Sequence, residues 1–137
     1  MRNTLSKSEI LRGRNAFAEI IRDGKLFADQ SVACYVASQN REAAQKKTLG
    51  GPHIRVGFVA PKKNFPRAVE RNKVKRMLRE VYRINKGSLI QVTERENRYL
   101  RMVIVFRGKL SRPESVSLFG HIESQWLRLV PQIISSL

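Results

Sequence analysis

Basic side chains recur at a spacing of three or four residues between positions 71 and 83. The polar set on this segment is Arg71, Asn72, Lys75, Arg76, Arg79 and Arg83. On a helix, like charges four residues apart face one another and repel, so a partner outside the helix must compensate them. A planar guanidinium group fits two phosphate oxygens at once. The pattern therefore favours binding to a phosphate-rich polymer.

The overall charge indicates the same class of ligand. The 137 residues include 27 Lys and Arg against 11 Asp and Glu, which gives a formal net charge of +16. A field of this strength favours a polyanionic partner, either nucleic acid or an anionic membrane. Membrane binding needs exposed Trp, Phe or Leu on the helix, and the basic side of residues 71–83 has none. RNA is the favoured partner, although the same helix geometry would also fit a DNA major groove.

The sequence contains no set of side chains that indicates catalysis by the protein itself. There is no Ser/His/Asp set, no pair of carboxylates near a histidine, and no acidic cluster able to hold two metal ions. Cys34 is the only cysteine, which excludes an intramolecular disulfide and a cysteine-based zinc site. Its apolar neighbours predict a buried thiol. We therefore expect no catalytic residue, no protein-held metal and no small-molecule substrate.

The N-terminal segment carries a helix signal. Ser6 and Glu9 match a capping box, which predicts a helix that begins there and ends at Gly24. Apolar residues keep a helical spacing through Phe17, and Gly13 is a candidate break between a short first turn and the main helix. This helix would pack one apolar side against the rest of the protein.

Three segments have the pattern of strands. Alternating side chains predict strands over 31–37 and 54–60, joined by an exposed polar loop over 39–53. A continuous apolar run over 102–106 predicts a strand covered on both faces. Residues 88–98 are weakly patterned, and both a helix extension and a loop fit them. The strands alternate with helices, as in a mixed α/β fold.

Residues 68–85 have the strongest helical pattern in the chain. The side predicted to face the core contains Val74, Met77, Leu78, Val81 and Ile84. A last helix follows Pro113, and Pro131 is expected to bend or end it. No apolar run approaches the roughly 20 residues that cross a bilayer, and no secretory signal is recognisable. We therefore expect a cytoplasmic protein without a membrane partner.

Two motifs in the middle of the chain resemble a known family. RNKVKRMLRE (71–80), preceded by VGFVAPKK (56–63), is similar to the signature of the bacterial ribonuclease P protein subunit. The resemblance implies one RNA-binding domain over 1–137 with an α/β sandwich fold of the ribosomal protein S5 domain 2 type. The implied element order is α-β-β-α-β-α. It includes a left-handed crossover from strand 54–60 through helix 68–85 to strand 101–107, where a right-handed one is usual.

The resemblance also implies a function. The family protein is the accessory subunit of a ribonucleoprotein endonuclease that removes the 5′ leader from precursor tRNA. Its chemistry is expected in the catalytic RNA subunit, with Mg²⁺ bound mainly by RNA. The implied RNA-binding residues are Lys62, Lys63, Arg67, Arg71, Asn72, Lys75, Arg76, Arg79 and Arg83. A leader cleft would contain Phe17, Ile21 and Tyr35, although ordinary helix packing is the alternative role of Phe17 and Ile21.

Two other classes of function fit the same basic helix. The first is a non-enzymatic RNA-binding protein of the ribosomal or RNA-chaperone type. The second is a nuclease that works without an RNA subunit, which the lack of a catalytic set disfavours. Cleavage of precursor tRNA with and without the catalytic RNA would distinguish the three.

Overall fold

The computed structural model contains a four-stranded sheet with helices on both faces. It describes residues 4–40, 52–108 and 117–137. A 3₁₀ turn at Lys7–Glu9 precedes the regular elements. The helices are α1 (Arg14–Asp23), α2 (Ala68–Asn85), α3 (Gly87–Arg95) and α4 (Leu118–Ser135). The strands are β1 (Lys25–Ala28), β2 (Val32–Asn40), β3 (Ile54–Val59) and β4 (Arg98–Phe106). No helix in these ranges is both long and apolar enough to cross a bilayer.

The strands lie in the order β1-β2-β4-β3. β2 pairs antiparallel with both β1 and β4, whereas β3 pairs parallel with β4 and places Gly57 opposite Val103. Parallel neighbours need a crossover connection, and α2 and α3 supply it. The mixed α/β fold class is confirmed. The left-handed sense of the crossover stays a prediction.

Alternating side chains divide the core between the two faces of the sheet. Helices α2, α3 and α4 cover one face, where Tyr82 contacts both Phe58 and Trp126 edge-on, with ring centroids 6.1 and 6.3 Å away. Helix α1 and the preceding Leu11 cover part of the other face, through a smaller cluster that includes Ile20 and Val103. Within the described ranges this cover is incomplete, because Leu26 of β1 remains 48% exposed.

The elements with strong periodicity are confirmed. Helix α2 has the bounds predicted for it, and β4 includes the predicted run over 102–106 with both faces covered. Helix α3 and the start of β4 account for residues 88–98. The sequence patterns missed β1, which is only four residues long and is held by pairing with β2.

The predicted loop over 39–53 is wrong at its start. β2 continues to Asn40, because Gln39 and Asn40 pair with Tyr99 and Arg98 of β4. Residues 41–51 of that loop lie outside the described residues. Pro131 lies inside α4 without ending it, because the helix runs on to Ser135.

The predicted capping box is also wrong. Ser6 makes no cap with its side chain, and Glu9 pairs with Lys86, at 2.8 Å between Oε2 and Nζ. Lys86 is only 2% exposed and also donates to the Thr4 carbonyl, so its burial requires the Glu9 carboxylate. The α-helix starts at Arg14, after Gly13 with φ of 94°. The break predicted at Gly13 is therefore confirmed.

The predicted buried side of α2 is confirmed at Val74, Leu78 and Val81. It is wrong at Ile84, which is 43% exposed, and it missed Tyr82, which is buried. The reason is that α2 packs against α4 as well as against the sheet. The opposite side of the helix still faces solvent.

Candidate nucleic-acid interface

The solvent side of α2 presents a cationic surface. Four exposed residues on it are Asn72, Lys75, Arg76 and Arg79, and Lys73 and Glu80 are exposed on the same helix. None of the first four forms an ion pair with an acidic group in the described ranges. We call these four residues the basic face. The charges of Lys75, Arg76 and Arg79 are therefore available to phosphate groups, and the neutral amide of Asn72 can donate a hydrogen bond to them.

Arg83 differs from the basic face. Its Nη2 atom lies 2.7 Å from Oε2 of Glu80, and its Nε–H also donates to that carboxylate. The hydrogen bond from Arg83 holds the pKa of the Glu80 carboxyl below its usual value. The predicted RNA-binding residue Arg83 is thus already paired with an acid of its own helix.

Arg71 is also engaged by the protein. Its Nη1 atom donates to the carbonyl oxygens of Phe65 and Pro66, at 2.9 and 2.7 Å. Both acceptors belong to the turn that leads into α2. Three further predicted RNA-binding residues are exposed on this turn or at its end: Lys62, Lys63 and Arg67. They lie next to the basic face along the chain.

A cavity of about 430 Å³ lies between the N-terminal segment, β3 and α2. Its apolar lining is formed by Ile10, Leu11, Phe17, Gly57 and Phe58. The whole basic face lines it from the other side. The cavity therefore combines an aromatic surface, on which a base could stack, with cations that could bind its phosphates.

The three predicted cleft residues have different environments. Phe17 is half-buried and lines the cavity beside the basic face. Tyr35 is half-buried in the small cluster under α1, to which Phe17 also belongs. Ile21 is 41% exposed and lies outside that cluster. Phe17 and Tyr35 therefore lie in one apolar cluster, and Phe17 also lines the cavity that borders the basic face.

Comparison with known proteins identifies the family. A family model described as Ribonuclease P matches residues 5–130. The chain belongs to the ribonuclease P protein family. The "Ribonuclease P protein component" of Chlorobaculum tepidum is 38% identical over 88 residues, which cover 64% of this chain. The matched segment spans 54% of that relative, so the chain aligns with about half of its length.

Solved structures of ribonuclease P proteins have the same fold. The Thermotoga maritima RNase P protein superimposes with a TM-score of 0.63 and 28% identity, covering 90% of this chain and 96% of that one. The Staphylococcus aureus RNase P protein also gives a TM-score of 0.63, over 93% and 96% of the two chains. Its identity of 20% supports the fold alone.

Several cavity residues of this ribonuclease P family member were not identified from sequence. The sequence pattern predicts a helix through Ile10 and Leu11, which is wrong, because Ile10 bridges Val56 and the Leu11 amide donates to the Val56 carbonyl at 2.9 Å. The alternating pattern over 54–60 gives Gly57 no role beyond that of a strand residue. A glycine inside a strand often marks a close approach of another group, so this signal was present in the sequence.

The described parts of this family member contain no ready metal site or nucleophile. No three His, Cys, Asp or Glu side chains lie close enough together there to hold a metal ion. Cys34 is fully buried as predicted, and burial raises the pKa of its thiol. The basic face itself can bind phosphates and neutralise their charge.

Proposed function

We propose that this protein is the protein subunit of ribonuclease P, which binds the catalytic RNA and the 5′ leader of precursor tRNA. The observation that carries the proposal is the exposed basic face, which forms no ion pair in the described ranges, beside an apolar cavity in a chain of this family. Its role is that of an accessory subunit in a ribonucleoprotein endonuclease that matures the 5′ end of tRNA.

The basic face would bind phosphates of the catalytic RNA. Each phosphate contact releases bound counterions, so the affinity should fall steeply as salt rises. Mg²⁺ would be held mainly by the RNA, as in the family that the chain resembles, and no three His, Cys, Asp or Glu side chains of the described residues lie close enough together to hold the ion. The ion supplies the Lewis acid and the nucleophile when bound. The protein's own cations would lower repulsion between the RNA strands that surround it.

The cavity would accept an unpaired nucleotide of the leader. Phe17 provides an aromatic surface, and Asn72, on the opposite side of the cavity, provides an amide donor and acceptor. Tyr35 packs in the same cluster as Phe17, and Ile21 is exposed on α1, so both would contact later leader nucleotides that pass this helix. Stacking on aromatic side chains tolerates any base, which suits a substrate class with variable leaders.

Reconstitution with the catalytic RNA tests the proposal. The purified protein, mixed with ribonuclease P RNA at a Mg²⁺ concentration where the RNA alone is slow, should accelerate removal of the leader from precursor tRNA. Cleavage by the protein without the RNA would instead indicate a protein-only nuclease. RNA binding without any acceleration would indicate a ribosomal or chaperone-type protein. Precursor tRNA is made in the bacterial cytoplasm, which is where the proposal places this protein.

A further inference from the structure

Hydrogen bonds fix the backbone of the turn between β3 and α2, although this turn contains several charged residues. The carbonyl of Pro61 accepts from the amides of Asn64 and Phe65, at 3.0 and 2.9 Å. The Asn64 side chain donates to the Arg107 carbonyl, at 2.9 Å, and so joins the turn to the end of β4. The cations that this turn presents to solvent are Lys62, Lys63 and Arg67.

Phe65 anchors the second half of the turn. Its side chain is 1% exposed and stacks on Phe106, with ring centroids 6.0 Å apart and planes at 16°. Its carbonyl and that of Pro66 both accept from Nη1 of Arg71. Arg71 lies one helical turn inside α2, so it bonds the helix to the turn that precedes it.

We propose that Arg71 is a positioning residue, which holds this turn so that Lys62, Lys63 and Arg67 face the RNA. The inference rests on the proposed RNA-binding function. Both hydrogens of the Nη1 group are used by carbonyls, so this part of the guanidinium is not available to phosphate. A turn fixed before binding loses less conformational entropy when its cations bind phosphates.

Lysine cannot replace Arg71 in this role. Its ammonium group carries the same charge, but it lacks the planar fork that reaches two fixed acceptors together. Arg71→Lys therefore removes the paired hydrogen bonds to the turn but keeps the positive charge. If Arg71 acted only as a cation beside the RNA, the lysine variant would keep most of the affinity.

Affinity for ribonuclease P RNA, measured across a salt series in two backgrounds, tests the inference. In the natural protein, Arg71→Lys should weaken binding by about tenfold, which is within the range of coupling found between residues of one hydrogen-bond network. In a background with Lys62→Gln, Lys63→Gln and Arg67→Gln, the same change should have less than about a twofold effect, because the positioned cations are gone. Arg79→Ala is the matched control, and it should lower the affinity by a similar factor in both backgrounds.

Two results would overturn the inference. An equal loss from Arg71→Lys in both backgrounds would mean that Arg71 contacts RNA itself. Amide hydrogen exchange gives a test without RNA: Arg71→Lys should speed exchange at Asn64 and Phe65 but not within β4, and unchanged exchange at both would contradict positioning. If the Arg79→Ala variant and the variant with Lys62, Lys63 and Arg67 all changed to Gln bind RNA normally, the proposed function fails. The exchange experiment would still decide the structural role of Arg71, because it needs no RNA.

Discussion

The ring of Phe17 occupies the space above Gly57 that a side chain would fill at any other residue. A Cβ atom built on Gly57 would lie 2.3 Å from Cζ and 2.4 Å from Cε2 of Phe17, well inside van der Waals contact. Because Gly57 has no side chain, the Phe17 ring of α1 can pack directly against β3. The same ring lines the cavity that borders the basic face, so one glycine links the packing of α1 to the shape of the site.

Substituting Gly57 should disturb both stability and RNA binding. Gly57→Ala should cost about 1–3 kcal/mol in the free energy of unfolding, because the added methyl group overpacks against the Phe17 ring. It should also weaken binding of a single-stranded leader oligonucleotide by displacing that ring from the cavity. Urea unfolding and fluorescence anisotropy measure the two effects.

The Phe17→Ala background provides the control for this prediction. Without the ring, the added methyl group has room, so Gly57→Ala should have little further effect on stability there. An equal cost in both backgrounds would show that Gly57 is needed for a reason other than its contact with Phe17.

Removing two cations from the basic face should change how RNA binding depends on salt. Arg76→Ala with Arg79→Ala should lower the affinity for ribonuclease P RNA and reduce the slope of log K against log salt by about 1.5, because two phosphate contacts are lost. Circular dichroism should be unchanged, since both side chains are exposed. Filter binding at several salt concentrations gives the slope.

A pair of distant arginines serves as the charge-matched control. Arg22 and Arg95 are paired with their neighbours Asp23 and Glu96, at 2.9 and 3.3 Å. Replacing both with alanine removes the same formal charge and should alter the salt slope much less. Normal RNA binding by a folded Arg76/Arg79 double variant would argue strongly against the proposed interface.

Gln125 should be important for stability although it lies far from the basic face along the chain. Its Oε1 atom accepts from the amides of Ser31 and Val32, at 2.6 and 2.9 Å, and the residue is fully buried. Gln125→Leu would leave both amides without an acceptor and should destabilise the protein by about 2 kcal/mol or more. Gln132→Leu, at an exposed position of the same helix, should change the unfolding midpoint very little. Comparable midpoints for the two variants would refute this role.

The Cys34 thiol should be unreactive in the folded protein. Burial raises its pKa, so the thiolate fraction stays small at pH 8, and the thiolate is the reactive form. Iodoacetamide should modify the native protein slowly at this pH and the denatured protein quickly, as followed by mass spectrometry. Rapid modification without denaturant would mean that β2 opens readily.

Helix α2 shows how much of the site could be predicted from sequence. Its bounds and its solvent side followed from local periodicity, because burial of one side of a helix is repeated every three to four residues. Its exact rotation could not be predicted, since Tyr82 is drawn inward by Phe58 and Trp126, which come from other elements. For the same reason Ile84 was assigned to the wrong side.

The amino-acid sequence by itself determined that this protein is a basic α/β domain with a cationic helix, and its motifs identified the family. These properties depend on composition and on neighbours within a few residues. Only the tertiary structure decided that Glu9 is paired with Lys86, that Arg71 holds the preceding turn, and that Phe17 shares a cavity with the basic face. The physical reason is that hydrogen bonds and packing depend on atoms within about 4 Å, and the sequence alone does not specify which distant residues come that close.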